Sequence, residues 1–192
     1  ARPAGRARLH VGADLQGRYG LEATDITRRY TLAGSLASEA VSVSIDSARR
    51  TSGGLFVEAE LPAGRGITAS GGLRAEAVTS TNEGGFLGRR TVAHAAPAGL
   101  AALTLTPGPR VSLTLQAARG FRDPTLSDRF YRGPSGRGFI EGNPVLRPET
   151  SLQFDAMARY TAGPVRLSAS AYRYRISNLV ERHAATPDLF RF

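Results

Sequence analysis

Apolar and polar residues alternate with a period of two along most of this chain. The clearest segments are 8–16, 55–61, 67–77, 111–117 and 152–160, where nearly every second residue is apolar and its neighbours are polar. This alternation is typical of strands with one apolar and one polar face, and helical spacing fits none of the segments as well. We therefore predict an all-β chain whose sheet has two chemically different faces.

The connections between the alternating segments differ in length in a regular order. We predict seven strands, at about 8–23, 50–61, 67–80, 92–106, 111–119, 150–161 and 164–178. Short Pro/Gly turns at 62–66, 107–110 and 162–164 alternate with long connections at 24–50, 80–92 and 121–150. Tight turns on one rim and long loops on the other are typical of transmembrane barrels, and strands of about ten residues are long enough to cross a bilayer.

Two of the seven strands depart from this pattern. Pro97 interrupts the fourth strand and lacks an N–H for a central ladder, so its bilayer part is predicted at 100–105. In the seventh strand, Arg173 and Arg175 share the side of the apolar residues. Either a bulge near Tyr172 exchanges the two faces, or these arginines stand above the lipid. Tyr172 and Tyr174 are interpreted as part of an aromatic girdle at the membrane interface.

Apolar and polar residues also alternate along the strands of soluble folds. A β-sandwich or a lipocalin-like barrel is therefore the alternative to a membrane barrel. Long loops after every second strand are uncommon in compact domains. The predicted apolar face is also thin and rich in Ala, whereas a packed core favours bulkier residues. These two features favour the membrane barrel.

The composition of the chain excludes several kinds of site and partner. The 192 residues contain no Cys, which excludes disulfides and thiolate metal sites, and have a formal charge of +9 that comes from Arg without Lys. The arginines are spread along the chain, with their densest groups in the predicted loops, whereas nucleic-acid binding usually concentrates the charge, so we expect no nucleic-acid partner. No apolar run is long enough for a transmembrane helix. The sequence does not open with a charged and then apolar signal segment at Ala1, so we expect either that a leader was removed or that the numbering begins inside a longer protein.

Catalytic motifs are not found. His10, His94 and His183 are far apart and have no carboxylate companions at metal-ligand spacing. The glycine-rich run 133–138 has no Lys and resembles no nucleotide-binding loop. We expect no enzymatic activity, no metal site and no cofactor.

The most specific sequence lies around the long connection at 121–150. Ala-Arg-Gly-Phe-Arg-Asp-Pro-Thr-Leu-Ser-Asp ends the fifth strand at 118–128, and Gly-Asn-Pro-Val-Leu-Arg-Pro-Glu-Thr-Ser opens the sixth at 142–151. This pair of segments resembles the barrel region of TonB-dependent receptors. The segments 71–74 (Gly-Gly-Leu-Arg) and 174–180 resemble further strands of that family. The likeness is strong over 118–160 and weaker before residue 50.

The resemblance implies an antiparallel meander forming part of a transmembrane β-barrel in the bacterial outer membrane. Residues 1–192 would be one part of such a barrel, incomplete at both ends, because the family has about 22 strands and a plug. Phe192 is expected to be a truncation point. The complete protein would take up a scarce nutrient actively. The resemblance implies a ferric siderophore as the usual cargo, with haem, cobalamin or a carbohydrate as the other cargoes of the family. Its partners would be TonB, through a plug that we do not recognise here, the cargo, and outer-membrane lipid and lipopolysaccharide. A passive porin is the alternative within the membrane.

The residues of the paired motif suit a structural role at the base of the loop. Prolines stiffen the chain where the ladder ends, and glycines permit backbone angles closed to other residues. Arg122 and Glu149 are placed to hold the loop by an ion pair or by carboxylate-to-amide hydrogen bonds. The predicted structural set is Gly120, Phe121, Arg122, Pro124, Gly142, Asn143, Pro144, Pro148 and Glu149.

The same loop is the candidate ligand site. Several guanidinium groups with aromatic rings would suit an anionic ferric chelate, through charge-assisted hydrogen bonds and stacking. The candidates are Arg122, Arg129, Tyr131, Arg132, Arg137 and Phe139. Alternatively, these arginines bind lipopolysaccharide phosphates or are solvated loop charges.

Overall fold

The computed structural model describes residues 6–136 and 138–192, which form strands and one short helix. The long strands are β1 (Arg8–Tyr30), β2 (Leu36–Gly64), β3 (Ile67–Asn82), β4 (Arg90–Gly108) and β5 (Val111–Arg122). Helix α1 (Leu126–Phe130) and the short strands β6 (Arg132–Ser135) and β7 (Gly138–Glu141) follow. The chain continues through β8 (Glu149–Ala162), β9 (Val165–Ser177), β10 (His183–Thr186) and β11 (Leu189–Arg191).

Seven strands form one antiparallel sheet, curled as half of a barrel, in the order β1-β2-β3-β4-β5-β8-β9. Neighbours in the sheet are joined by hairpins, except that the segment 123–148 separates β5 from β8. We call this segment the folded loop. The predicted seven-stranded antiparallel meander is thereby confirmed.

The strand register separates the two faces of the sheet. One row of paired residues crosses six strands and is wholly apolar: Leu61, Ala69, Leu103, Leu115, Ala156 and Ala171. The adjacent row, one residue along each strand, is Glu60, Ser70, Ala102, Gln116, Asp155 and Tyr172. We call the sides of these rows the apolar face and the polar face. Both faces are largely uncovered, and Leu115 is 56% exposed.

The first predicted long connection, 24–50, is wrong. The β1–β2 hairpin continues as far as the pair Tyr30 and Leu36, and only residues 31–35 form the turn. Both faces of this extension are mostly exposed up to residue 43. Where both faces meet water, nothing selects apolar residues at alternate positions, so the period-two signal is lost although the ladder persists. The connection predicted at 80–92 shortens to 83–89, because β3 continues through the buried residues Ser80, Thr81 and Asn82.

Pro97 does not interrupt β4. It pairs with Ala75 on the β3 side, whereas the β5 ladder begins only at the pair Gly99 and Arg119. Pro97 therefore lies where β4 has become an edge on its β5 side, and an edge tolerates a missing N–H.

The seventh strand of the sheet, β9, contains no bulge. Its register against β8 runs without a shift from Thr150–Ser177 to Ala162–Val165. Arg173 and Arg175 therefore remain on the apolar face. Tyr172 and Tyr174 pair with Asp155 and Gln153 on the polar face, so their interpretation as an interfacial girdle is wrong.

A second, four-stranded sheet has the order β10-β11-β7-β6 and joins the folded loop to residues 183–191. The main apolar core lies beside it, where Leu126 and Phe130 of α1 pack against Ile45 and Ala48 of β2. In the described ranges, no helix has the length and apolar character needed to span a membrane.

Candidate functional site

The folded loop begins with a one-turn helix that its own side chains stabilise. Thr125 accepts a hydrogen bond from the Asp128 N–H at 3.1 Å, and the Asp128 carboxylate accepts one from the Thr125 N–H at 2.9 Å. This reciprocal capping box satisfies two N–H groups that a helix N-terminus otherwise leaves without partners. It turns the chain so that Leu126 and Phe130 point at β2.

A buried ion pair lies at the centre of the folded loop. The Arg129 side chain is fully buried, and its guanidinium donates to Asp123 at 2.9 Å and to the carbonyls of Pro144 and Leu146 at 3.1 and 2.8 Å. His94 of the polar face lies 3.1 Å from the Asp123 carboxylate. Arg129 therefore joins the two ends of the folded loop, and in this arrangement its guanidinium is closed to a ligand.

Gly142 allows the two halves of the folded loop to touch. A Cβ on Gly142 would lie 2.8 Å from the Arg129 carbonyl carbon and 3.0 Å from the Asp128 oxygen. The explanation by special backbone angles is wrong, because neither Gly142 nor Gly120 has a positive φ. At Gly120 there is more room for a side chain, since an added Cβ would contact only the Ser151 hydroxyl, at 3.1 Å.

The residues after Gly142 form a tight turn back towards the wall. The Asn143 side chain accepts from the Val145 N–H at 3.0 Å and donates to the carbonyl of Phe192 at 3.3 Å. Pro124 is almost fully buried, and its carbonyl accepts from Arg50 of the polar face at 3.2 Å. The Pro148 carbonyl accepts from Asn178 at 3.3 Å.

The predicted ion pair at the base of the loop is confirmed. Arg122 donates through Nε and Nη2 to the two Glu149 oxygens, at 2.5 and 2.9 Å, across the last pair of the β5–β8 ladder. The same carboxylate accepts from the Val180 N–H at 2.6 Å. The Arg122 hydrogen bond is the main cause that holds the pKa of Glu149 below its ordinary value.

This pair should make the loop base sensitive to acid. Because the pKa of Glu149 is lowered by folding, its stabilisation is complete above the ordinary value of 4.5 and is lost as the pH falls below it. Arg122 is half exposed, so we expect a loss of about 1 kcal/mol or less. Hydrogen exchange at the Val180 amide, corrected for intrinsic rate, should accelerate in acid, and Glu149→Gln should remove that pH dependence. An unchanged dependence in Glu149→Gln would refute the assignment.

Arg132 and Phe139 lie together at the outer end of the folded loop. The Arg132 guanidinium is 3.8 Å from the centre of the Phe86 ring and 5.5 Å from that of Phe139. Its Nε is buried without a hydrogen bond, 4.0 Å from the carboxylate of Glu141. Both rings remain about half exposed. Phe86 belongs to the β3–β4 connection and was not among the sequence candidates, because nothing local to residue 86 indicates that it meets residue 132.

The other predicted ligand-binding residues do not join the cluster of Arg132 and Phe139 or lie outside the described residues. Tyr131 donates to the carbonyl of Pro134 at 3.0 Å, and burial followed by the charge of Asp25 raises its pKa. Arg122 is held by Glu149. Arg137 lies outside the described residues. Of the five candidates that the structure describes, it brings Arg132 and Phe139 into one accessible cluster.

A family model described as TonB dependent receptor-like, beta-barrel matches residues 4–191. The chain belongs to the TonB-dependent receptor family. A comparison with curated proteins gave no match.

Solved structures give the same fold. A copper transporter, OprC, is 20% identical over 88% of this chain and 27% of its own, with a TM-score of 0.67. The FrpB iron transporter from Neisseria meningitidis is 14% identical over 100% of this chain and 29% of its own, with a TM-score of 0.63. A double mutant of the Serratia marcescens hemophore receptor HasR, solved with its hemophore HasA and heme, is 12% identical over 96% and 35%, with a TM-score of 0.67. The chain therefore spans about a third or less of these proteins.

Membership in the TonB-dependent receptor family assigns the two faces. These barrels lie in the bacterial outer membrane, so the apolar face meets lipid and the polar face meets the lumen. The folded loop contacts Arg50 and His94, which lie on the polar face. It therefore folds over the lumen side of the wall. The soluble sandwich is no longer an alternative.

The lumen side also contains a charged cluster that the sequence did not indicate. Arg74 donates to both oxygens of Asp14, at 2.6 and 2.9 Å, and to Glu76 at 2.9 Å. The guanidinium lies directly over Gly54, where a Cβ would collide with it, so this glycine lets Arg74 reach across β2 to β1. In the portion of the chain that is described, no group of acidic and His side chains could hold a metal ion.

Proposed function

We propose that this chain forms part of the wall and outer loops of a receptor that takes up a scarce nutrient actively, with energy supplied by TonB. The family assignment supports this function and gives no support to a passive porin. In the proposal, the contact with TonB is made by a plug and not by these residues. We propose no enzymatic role.

For the cargo, we propose an anionic metal chelate, of which a ferric siderophore is the example predicted from sequence. The observation that supports an anion is the cluster of Arg132 with Phe86 and Phe139. The two rings hold the guanidinium by its flat face, which leaves its edge for charge-assisted hydrogen bonds to carboxylate or hydroxamate oxygens. The exposed parts of the rings offer apolar surface to the chelate's organic part. The similar structures include a copper transporter, an iron transporter and a hemophore receptor solved with heme, which supports a metal-containing cargo more generally.

The test is Arg132→Gln in the complete receptor, with binding of a panel of ferric chelates measured by fluorescence quenching. We expect about tenfold weaker binding of the anionic cargo, the loss of roughly one charge-assisted hydrogen bond. A neutral chelate of similar size should lose much less.

Arg147→Gln is the matched control, because Arg147 lies in the same loop, is exposed and has no partner within the described residues. Equal losses in both variants would indicate a diffuse effect of loop charge and would contradict a site at Arg132. If neither variant lost affinity for the anionic chelate, the folded loop would not be part of the binding surface.

A further inference from the structure

Three arginines stand on the apolar face near its outer end. The register aligns Arg119 of β5, Leu152 of β8 and Arg175 of β9 in one row, and Phe154 and Arg173 in the next row of the same face. Because β9 has no register shift, Arg173 and Arg175 point away from the lumen. Arg119, Arg173 and Arg175 are here called the arginine trio.

No acidic side chain within the described residues pairs with the arginine trio. All three side chains are exposed, and no ion pair or hydrogen bond holds any of them in the described structure. Along the described part of the wall, the carboxylates within the membrane span lie on the other face, as Glu58, Glu60 and Asp155. A cation on a lipid-facing wall is costly unless an anion meets it, and the described residues supply none on this face.

The trio lies in the outer part of the apolar band. The lowest row of the apolar face joins Val111, Tyr160 and Leu167, beside the short turns, and Arg119 is eight residues further along β5. At about 3.4 Å per residue and a tilt of about 40°, that distance is about 21 Å across the membrane. The apolar band of such barrels is about 25 Å tall, so Arg119 and Arg175 lie near its outer edge. Arg173 is six residues above Leu167, at about 16 Å, and its long side chain has to extend towards the interface to meet a phosphate.

Below the trio, the wall has a shallow apolar groove. Small side chains form its floor and larger ones its sides, and its volume is about 780 Å³. The floor is Ala101, Ala117, Ala156 and Ala171, and the sides include Leu103, Leu115 and Phe154, with Arg173 at one end. An acyl chain that lies in this groove would place its phosphorylated headgroup at the arginines.

We propose that the arginine trio and this groove form a binding site for a phosphorylated glycolipid of the outer leaflet, with lipid A as the matching chemistry. The guanidinium forks bind the phosphate, since arginine donates two parallel hydrogen bonds to such an anion. The alanine floor accepts the acyl chains. This site lies on the opposite side of the wall from the proposed cargo site, and its failure would leave the cargo proposal untouched.

The test uses the complete receptor with Arg119→Gln, Arg173→Gln and Arg175→Gln combined, and purified bisphosphorylated lipid A as the probe. Native mass spectrometry counts the retained lipid and a titration gives its affinity. We expect at least about tenfold weaker binding in the triple variant. Dephosphorylated lipid A should bind wild type and variant equally weakly.

The matched control combines Arg110→Gln, Arg159→Gln and Arg166→Gln, which remove the same charge at the opposite rim. An equal loss in this control would mean general electrostatic attraction and would overturn the proposal. So would unchanged binding in the trio variant, or release of the lipid by millimolar inorganic phosphate.

Two further variants keep the test decisive if the triple Gln variant does not assemble. Ala171→Phe fills the groove and leaves the trio intact, so lipid A binding should fall several-fold. The three arginines changed to Lys should retain assembly and lose several-fold in affinity, because Lys binds phosphate as a point charge. Wild-type affinity in both variants would overturn the site.

Discussion

We expect Leu115→Arg to destabilise the receptor by about 2–4 kcal/mol in a bilayer, or to block its assembly. Leu115 lies midway between the lowest row of the apolar face and the arginine trio, with Leu103 and Ala156 as its cross-strand neighbours. A guanidinium there has no carboxylate within reach on its own face, and the interface is too far for its side chain to reach easily. The expected loss of stability is therefore the full free-energy cost of placing a charged side chain in lipid near the bilayer midplane.

The adjacent residue provides the control. Gln116 is paired with Asp155 and Ala102 on the polar face, so Gln116→Arg places the same charge in the lumen, beside a carboxylate. We expect a change within about 0.5 kcal/mol. Reversible unfolding of the full receptor in lipid vesicles measures both variants. If Gln116→Arg cost as much as Leu115→Arg, the assignment of the two faces would be wrong.

We expect Arg129→Met to lower the free energy needed to open the folded loop by about 3 kcal/mol. The strands of the wall should remain intact. The substitution leaves Asp123, whose side chain is 2% exposed, without its closest cation, and leaves the carbonyls of Pro144 and Leu146 without a donor. Arg50 lies 3.7 Å from Asp123 and compensates in part, so the cost falls at the lower end of the range for a broken buried pair.

Hydrogen exchange across the folded loop measures this effect. The amides of Arg129, Tyr131 and Gly142 bond within the loop and should exchange about 100-fold faster in Arg129→Met. Amides of β3 and β4 should be unchanged, and so should the loop amides in the exposed control Arg147→Met. Adding Asp123→Asn to Arg129→Met should recover part of the protection, because it removes the uncompensated charge. Native exchange rates in Arg129→Met would show that the ion pair does not hold the loop.

Strand prediction succeeded where the two faces meet different solvents. In β3 and β5, lipid on one side and the lumen on the other impose a period of two, and the predicted bounds lie within about three residues of the observed ones. The long connection predicted at 24–50 was wrong, because both sides of that hairpin meet water and the alternation of apolar and polar residues is lost there. The bulge considered near Tyr172, which would have moved Arg173 and Arg175 off the apolar face, is absent from the β8–β9 ladder.

The candidate site was predicted only in part. The paired motif located the loop and the Arg122–Glu149 pair, because those two residues flank a ladder that the strand pattern already defines. The roles of Arg129 and Arg132 depended on contacts distant in the sequence. Arg129 is fixed by His94 and Leu146, and Arg132 by Phe86, so one arginine is buried and the other is accessible.

The sequence by itself determined the sheet, its two faces, the order of short and long connections and the family, because each follows from local alternation or from a contiguous motif. The tertiary structure decided which loop arginines are structural, why Gly142 is a glycine, and that Arg119, Arg173 and Arg175 meet on the apolar face. Those properties depend on register and on approaches between distant segments. A one-residue change in register would move every side chain of β9 to the other face.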